Sequence, residues 1–434
     1  MILRQAGQER LRRWLLAAAA VYTALHVGYS LWRYNVFTGG QQSQDFFRVL
    51  DETRTWRTTG SLSLNAVLYP PFYYGLLLPL TYLPFRSVVY LLYFTQFLWY
   101  GAALRWMVRA VSPLSRPAAM EYGMAALLLL NFQPFLETLA MHKVEGIEFA
   151  LICWAIDALR RRRDALTGIL VFIAANLKYL PGFLVFYFLA KREWRVLKGM
   201  CIAGLIYLAV LIPVFGPAGI KAYVVDYPLT LLVAHRHEGT RMEASMEFQT
   251  LTGTVNRWFA GTEGMVEHFK SQGYPPVPQP ALATAVAAGL KLILLIGYLW
   301  LIRRRWRRAE RAAQWPLYLL EISLTLLMIF MLAPASRVHY AILLAPAFII
   351  TGLLLYHHHR LFGWTERLLF ASAYALTAML IPGGLLNRLP PHPLWGVKHS
   401  FAYLWFSLPF YGYVLLGACV ALCHVKLRQQ EVGT

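Results

Sequence analysis

The sequence predicts an all-α polytopic membrane protein, a single integral domain over residues 1–434 with about twelve (roughly 11–13) transmembrane helices. Three observations carry this. Of the 434 residues 58% are hydrophobic and only 14% charged, against the about 25% charge that a soluble surface carries. Mean hydropathy is +0.47. Apolar runs long enough to cross about 30 Å of hydrocarbon recur along the whole chain. Together these exclude a soluble enzyme, a disordered chain and a disulfide-stapled secreted module.

The first run, residues 14–32, follows Arg10, Arg12 and Arg13 and reads as an uncleaved signal anchor, since further spans come after it. Later runs begin near Tyr69, Arg86, Ala118, Gly146, Ala165, Val196, Ala281, Pro316, Tyr340, Trp364 and Phe401, which leaves both termini cytoplasmic. Two stretches between runs are long and read as external loops, residues 33–68 and 216–280. In the first, residues 45–56 set Phe46, Val49, Leu50 and Trp56 near one helical face, the pattern of an interfacial helix.

Lys and Arg number 41 against 21 Asp and Glu, a net charge of +20. The excess sits in short clusters between apolar runs, at residues 160–163, 191–195, 303–311, 357–360 and 426–428. That is the look of cytoplasmic loops, so membrane lipids are the expected partner of these charges and nucleic acid is not. His357, His358 and His359 read as surface residues of one such boundary. The second half of the chain obeys the charge rule. In the first half strict alternation would put residues 160–163 outside. One resolution makes residues 118–159 and 165–190 helical hairpins, the latter broken at Lys178-Tyr179-Leu180-Pro181. Cys153, Cys201, Cys419 and Cys423 all lie in apolar runs and read as packing residues, with no disulfide framework and no zinc site.

Charges that topology does not explain are the candidates for function. Asp45 is the first acid after the first span: an N-cap carboxylate for the following helix, or a general base at the membrane face. Lys178 lies in an otherwise uncharged run, residues 169–189, where an ammonium costs at least about 2.5–3.5 kcal/mol to insert and needs a partner or an aqueous cavity. Arg337 and His339 are cations on the expected outer side, against the positive-inside trend, and suit an anion such as phosphate or a lipid headgroup. Glu137, His142, Lys143 and Glu145 form a polar stretch between two runs, either an ordinary loop or part of an outward-facing cavity. No phosphate-binding loop, dinucleotide fingerprint or nucleophile elbow is present.

The order of several segments resembles a known family. Asp45-Phe46 follows the first span; Tyr69-Pro70-Pro71 and Pro79 to Pro84 flank the next; then come Arg160 to Asp164, Gly168, Lys178 to Pro181, Lys191 to Arg195, and finally Pro334, His339 and Tyr340. This resembles the GT-C glycosyltransferases, most closely glycosyltransferase family 87, over about residues 14–360. The resemblance implies a GT-C-like bundle in the plasma (inner) membrane with its active site facing outside. It implies a polyprenyl-phosphate sugar donor, with mannose expected, and a glycolipid or glycan acceptor. It makes Asp45 the catalytic carboxylate and sets Lys178 and His339 in the cavity, His339 near the transferred sugar or phosphate. Where many members carry Gly-Gln after the fourth span, this chain has His142-Lys143 and then Glu145.

The residue types suit that chemistry. A single displacement at the anomeric carbon inverts it, with a carboxylate taking the acceptor proton and Lys178, Arg337 and His339 stabilising the departing phosphate. No diphosphate is broken, so neither a metal nor a cofactor is expected. Two other readings compete: a flippase or transporter of lipid-linked sugars, and a non-catalytic subunit of an envelope complex.

Overall fold

The computed structural model describes residues 2–33, 44–60, 69–114, 117–221, 246, 248–271, 275–303, 311, 313–333, 337–380, 386–391, 393 and 395–432. In chain order the α-helices are α1 (Ile2–Arg33), α2 (Gln44–Thr59), α3 (Pro71–Leu77), α4 (Phe85–Val111), α5 (Ala119–Leu130), α6 (Gln133–Ala140), α7 (Glu145–Arg160), α8 (Asp164–Leu177), α9 (Leu184–Lys191) and α10 (Trp194–Lys221). They continue with α11 (Leu251–Ser271), α12 (Pro280–Leu301), α13 (Trp315–Leu332), α14 (Ala345–His357), α15 (Trp364–Ala378), α16 (His399–Trp405) and α17 (Leu408–Val432). Among the described residues the 3-10 segments Leu78–Tyr82, Leu180–Phe183 and Val338–Leu344 interrupt the series.

This is a helical membrane protein. Among the described residues, five helices are long and apolar enough to cross a bilayer: α4, α12, α13, the continuous Val338–His357 unit, and α17 over Leu408–Gln430. The pair α5 and α6, bent by 71° at a short break, makes a sixth. Val338–His357 is 83% buried and α13 78%, so these two form the centre of the bundle, whereas α12 is 11% buried and lies at its edge. Among the described residues, length and composition therefore mark up to six of the about twelve spans expected from the apolar runs. One reason is plain. The run beginning at Tyr69 is no long helix: α3 has seven residues, then a five-residue 3-10 turn carries the chain to Pro84. Prolines 71, 79 and 84 remove the N–H donors that a continuous helix needs. Arg57 of α2 donates through Nη1 to the Thr81 carbonyl at 3.1 Å, which ties that turn back to α2.

Close packing fixes the first half of the bundle. At the crossing of α8 and α10, a Cβ on Gly168 would stand 1.9 Å from the Val196 carbonyl oxygen, and one on Gly199 2.1 Å from that of Ala165. Only hydrogen side chains allow this approach of backbones. Helices α4 and α7 stack Trp106 on Trp154 with centroids 5.0 Å apart. Asn131, at the bend between α5 and α6, donates to Thr23 Oγ1 of α1 at 2.7 Å.

Helices α7 and α8 form a hairpin turned at Arg161 to Arg163, so the start of α7 and the end of α8 lie at one end of the bundle. The basic residues at the opposite end do more than sort topology. Arg160 donates to the Arg109 and Ala110 carbonyls at 2.9 and 2.6 Å and so caps α4. Arg311 pairs with Asp164 at 2.6 Å and Glu193 at 2.9 Å, and Lys191 with Glu321 at 2.7 Å, all with buried or nearly buried side chains. Lys426 lies on α17, paired with Glu366 at 2.7 Å. His357 is no free surface residue either: its Nε2 stands 2.7 Å from Oε1 of the buried Glu121.

Within the stretch 216–280, α11 packs on α16 through a small separate cluster of Ala260, Met265, Val397, Ala402 and Trp405. Arg257 pins it, donating to the Phe248 carbonyl at 2.7 Å and Ser407 Oγ at 2.6 Å. The four cysteines are free thiols; Cys153, Cys419 and Cys423 are buried.

Candidate active site

Glu145 opens α7 and Lys178 follows the last residue of α8. The helix must end there: Lys178 is extended (φ −156°, ψ 143°), and Pro181 in the 3-10 turn beyond cannot supply a helical N–H. The break lets Lys178 Nζ donate to Glu145 Oε1 at 2.5 Å, both side chains buried. The ammonium also lies 3.5 Å from the ring centroid of Tyr340 and 5.4 Å from that of Tyr69, so its charge is met by a carboxylate and two aromatic faces. His339 Nε2 stands 3.5 Å from the same Glu145 oxygen. The 3-10 segment carrying His339 and Tyr340 is fixed against α6 by Thr138, whose Oγ1 donates to the His339 carbonyl at 3.5 Å.

One helical turn beyond Glu145 lies Glu148, fully buried. Neither of its carboxylate oxygens has a hydrogen-bond partner among the described residues, and the same holds for Glu145 Oε2. Buried polar groups are nearly always satisfied, so three orphaned carboxylate oxygens together mark a place built for something besides stability.

His142 and Lys143 occupy the turn before α7, both buried. His142 has a left-handed backbone (φ 50°), a conformation that strains a residue with a Cβ and recurs at functional sites. Its ring packs against Tyr93 at 4.0 Å and Phe46 at 6.1 Å, and this burial holds the imidazole down at about 4, hence neutral at neutral pH. From here an apolar groove of about 440 Å³ runs between α3, α4, α7 and α8; Phe46, His142 and Lys143 stand at one end, Trp154 and Ile173 further along.

Lys178, His339, Glu145, Lys143 and His142 therefore converge on one end of the bundle. Asp45 lies in the first turn of α2, and its side chain falls outside the described residues. Its neighbour Phe46 is buried in the groove wall, and α2 turns Phe46, Val49 and Leu50 into the protein core. Arg337 is exposed, two residues before His339, its backbone bridged to Phe248. Glu137 lies on α6, accepting from Gln133 Nε2 at 3.4 Å. Sequence reasoning gave no site role to Glu148, Tyr69 and Tyr340. The i, i+3 spacing of Glu145 and Glu148 inside an apolar helix was the available signal for the first.

Fold and site together define a polytopic membrane protein with a charged, buried centre beside an apolar groove. The profile of glycosyltransferase family 87 matches residues 67–327, more than half of the chain, and the chain belongs to that family. The matched stretch contains Glu145, Glu148 and Lys178, and Asp45, Arg337 and His339 lie outside it. A comparison with curated proteins found no match.

Proposed function

We propose that this glycosyltransferase moves a hexose, mannose by its resemblance, from a polyprenyl-phosphate donor to a hydroxyl of a glycolipid or glycan acceptor. The observation that carries the reading is the meeting of Lys178, Glu145 and His339 beside an apolar groove whose charged end holds Lys143. A lipid phosphate needs such a combination: apolar wall for the prenyl chain, cations for the headgroup. In this reading the basic ends of the helices face the cytoplasm, and the Glu145 end faces outside the plasma membrane. The shorter helices and α1 and α10 supply the remaining crossings, about twelve in all.

The acceptor oxygen attacks the anomeric carbon as the carbon–oxygen bond to phosphate breaks. The electron pair leaves with polyprenyl phosphate, the acceptor proton passes to Asp45, and the configuration inverts. Lys178, shared between Glu145 and the leaving phosphate, and His339 beside it stabilise the negative charge that develops; Arg337 meets the headgroup from the exposed edge. The transfer as written uses no metal and no cofactor. Glu137 and the His142–Glu145 turn form the acceptor side.

The test is incubation of purified protein with labelled polyprenyl-phosphate mannose and lipid extract. Label passing into a new lipid product is expected; label that crosses a bilayer without forming a product makes the protein a flippase. Asp45→Asn is expected to fold normally, by thermal midpoint, and to lose transfer by about 10²–10⁴-fold, the usual worth of a general base. Full activity in that variant removes Asp45 from the mechanism.

A further inference from the structure

A cavity larger than the groove beside the site lies elsewhere. A groove of about 970 Å³ opens between α5, α14 and α15. Its position relative to the site follows from one helix unit. His339 stands near the start of Val338–His357, and His357 is its last residue, so the groove mouth and the Glu145 cluster occupy opposite ends of a single membrane span.

Two features specify what fits. The floor and walls are apolar, formed by Met124, Leu128, Leu355 and Phe370. The outer face of α15 beside it exposes Trp364 (76%) and Leu368 (52%), so the groove sits on a surface suited to hydrocarbon. Its mouth is basic. His357 is fixed there by Glu121 at 2.7 Å, while His359 and Arg367 are exposed. Arg367 is posed rather than loose: Nη2 donates to the His359 carbonyl at 2.8 Å and the Phe362 carbonyl at 3.4 Å, leaving Nε and Nη1 for a ligand. A planar guanidinium held at the rim of an apolar groove suits a phosphodiester on an acyl-chain body.

We propose that the α5–α14–α15 groove binds one anionic glycerophospholipid, its acyl chains lying on Met124, Leu128 and Phe370 and its phosphodiester on Arg367 and His359. The charge complementarity favours this occupant over a zwitterionic lipid, and the wide groove, walled by three helices, favours a two-chain lipid over a single prenyl chain. The site is separate from sugar transfer and binds its lipid whether or not donor is present.

The experiment is native mass spectrometry of the detergent-purified protein titrated with phosphatidylglycerol or phosphatidylcholine of matched acyl chains. One phosphatidylglycerol is expected to stay bound under activation that strips phosphatidylcholine. Arg367→Gln is expected to weaken it about fivefold, the worth of one cation at a lipid headgroup. Arg162→Gln, on a basic turn away from the groove, is expected to leave it unchanged. Leu128→Trp, which fills the groove, is expected to abolish retention in protein that still elutes as a single species. Equal retention of the two lipids, or retention untouched by both groove variants, overturns the proposal. So does displacement of phosphatidylglycerol by equimolar polyprenyl phosphate, which makes the groove a carrier site.

Discussion

Two clusters of charge are buried in this bundle, one at each end of the α7–α8 hairpin, and they are built on different terms. At the Arg311 end acids and bases pair off: Arg311 holds Asp164 and Glu193, Tyr318 donates to Glu193 at 3.3 Å, and Lys191 holds Glu321, which also accepts from Tyr187 at 3.1 Å. Lys191 further donates to the Ile302 carbonyl at 2.5 Å, closing the end of the helix before it. At the Glu145 end Lys178 meets Glu145 and two aromatic faces, and neither oxygen of Glu148 has a hydrogen-bond partner among the described residues. The difference is one of pairing: each carboxylate at the Arg311 end has a salt-bridge partner, although Glu321 Oε1 has no hydrogen bond among the described residues, whereas neither oxygen of Glu148 has one. Ion pairs of this kind lock helices together, and an unpaired carboxylate keeps capacity for a ligand.

The sharpest way to break this contrast is to remove one buried cation from each cluster. Lys178→Met is expected to lower sugar transfer by at least about 10²-fold, the scale of losing one electrostatic stabiliser of a leaving group. Arg311→Met is expected to act on stability instead, by about 3–5 kcal/mol, with activity per folded molecule retained. Thermal unfolding in detergent beside initial rates separates the two; the reverse assignment of effects would dissolve the distinction.

Glu148→Gln sharpens it from the other direction. Relieving an unpartnered buried carboxylate is expected to raise stability, by about 1–3 kcal/mol, while transfer falls. A stability loss on the scale of Arg311→Met would mean that Glu148 is as well satisfied as the clamp. Gly168→Ala probes the frame between the clusters. Its new Cβ meets the Val196 carbonyl of α10, backbone that cannot swing aside, so a loss of about 1–3 kcal/mol is expected.

The smallest effect is in pH. The folded imidazole of His142 titrates at about 4, below its ordinary value of 6.5. Between those values the unfolded chain binds a proton that the folded one does not, so stability is lost as pH falls from about 6.5 to about 4 and no further below it. His142→Gln is expected to lack that slope, so the difference between the two proteins' unfolding midpoints changes between about pH 6.5 and 4; parallel curves would show that His142 titrates alike in the folded and unfolded chain.

Much of the site was legible in the sequence because its signals are local. A lysine amid apolar residues, followed three positions later by proline, announces both a buried charge and a broken helix, and Lys178 is found in that state. The break of the run 165–190 at residues 178–181 was readable from the same signal, whereas the hairpin found among the described residues packs α7 on α8 rather than folding 165–190 on itself. The Arg311 clamp was not legible. Hydropathy and charge sorting treat Arg311, Lys191 and Arg160 as loop cations because they see no partner 147, 111 or 51 residues away. The Tyr69 run misled for a related reason: its apolar composition suggested a span, while its prolines, visible in the sequence, had already forbidden one. Family membership came through the order of weak motifs, none of which sufficed alone.

The hairpin also sets an order of assembly. Lys178 and Glu145 are 33 residues apart, so their pair can close as soon as α7 and α8 have been synthesised. Asp164 and Lys191, in the same segment, must wait for Arg311 and Glu321, and His339 arrives later still. Until α13 is made, the α8–α9 segment lacks the Glu321 carboxylate that Lys191 pairs with in the folded protein. The ion pair at the centre of the site is thus among the first tertiary contacts to form, and the contacts that secure it are among the last.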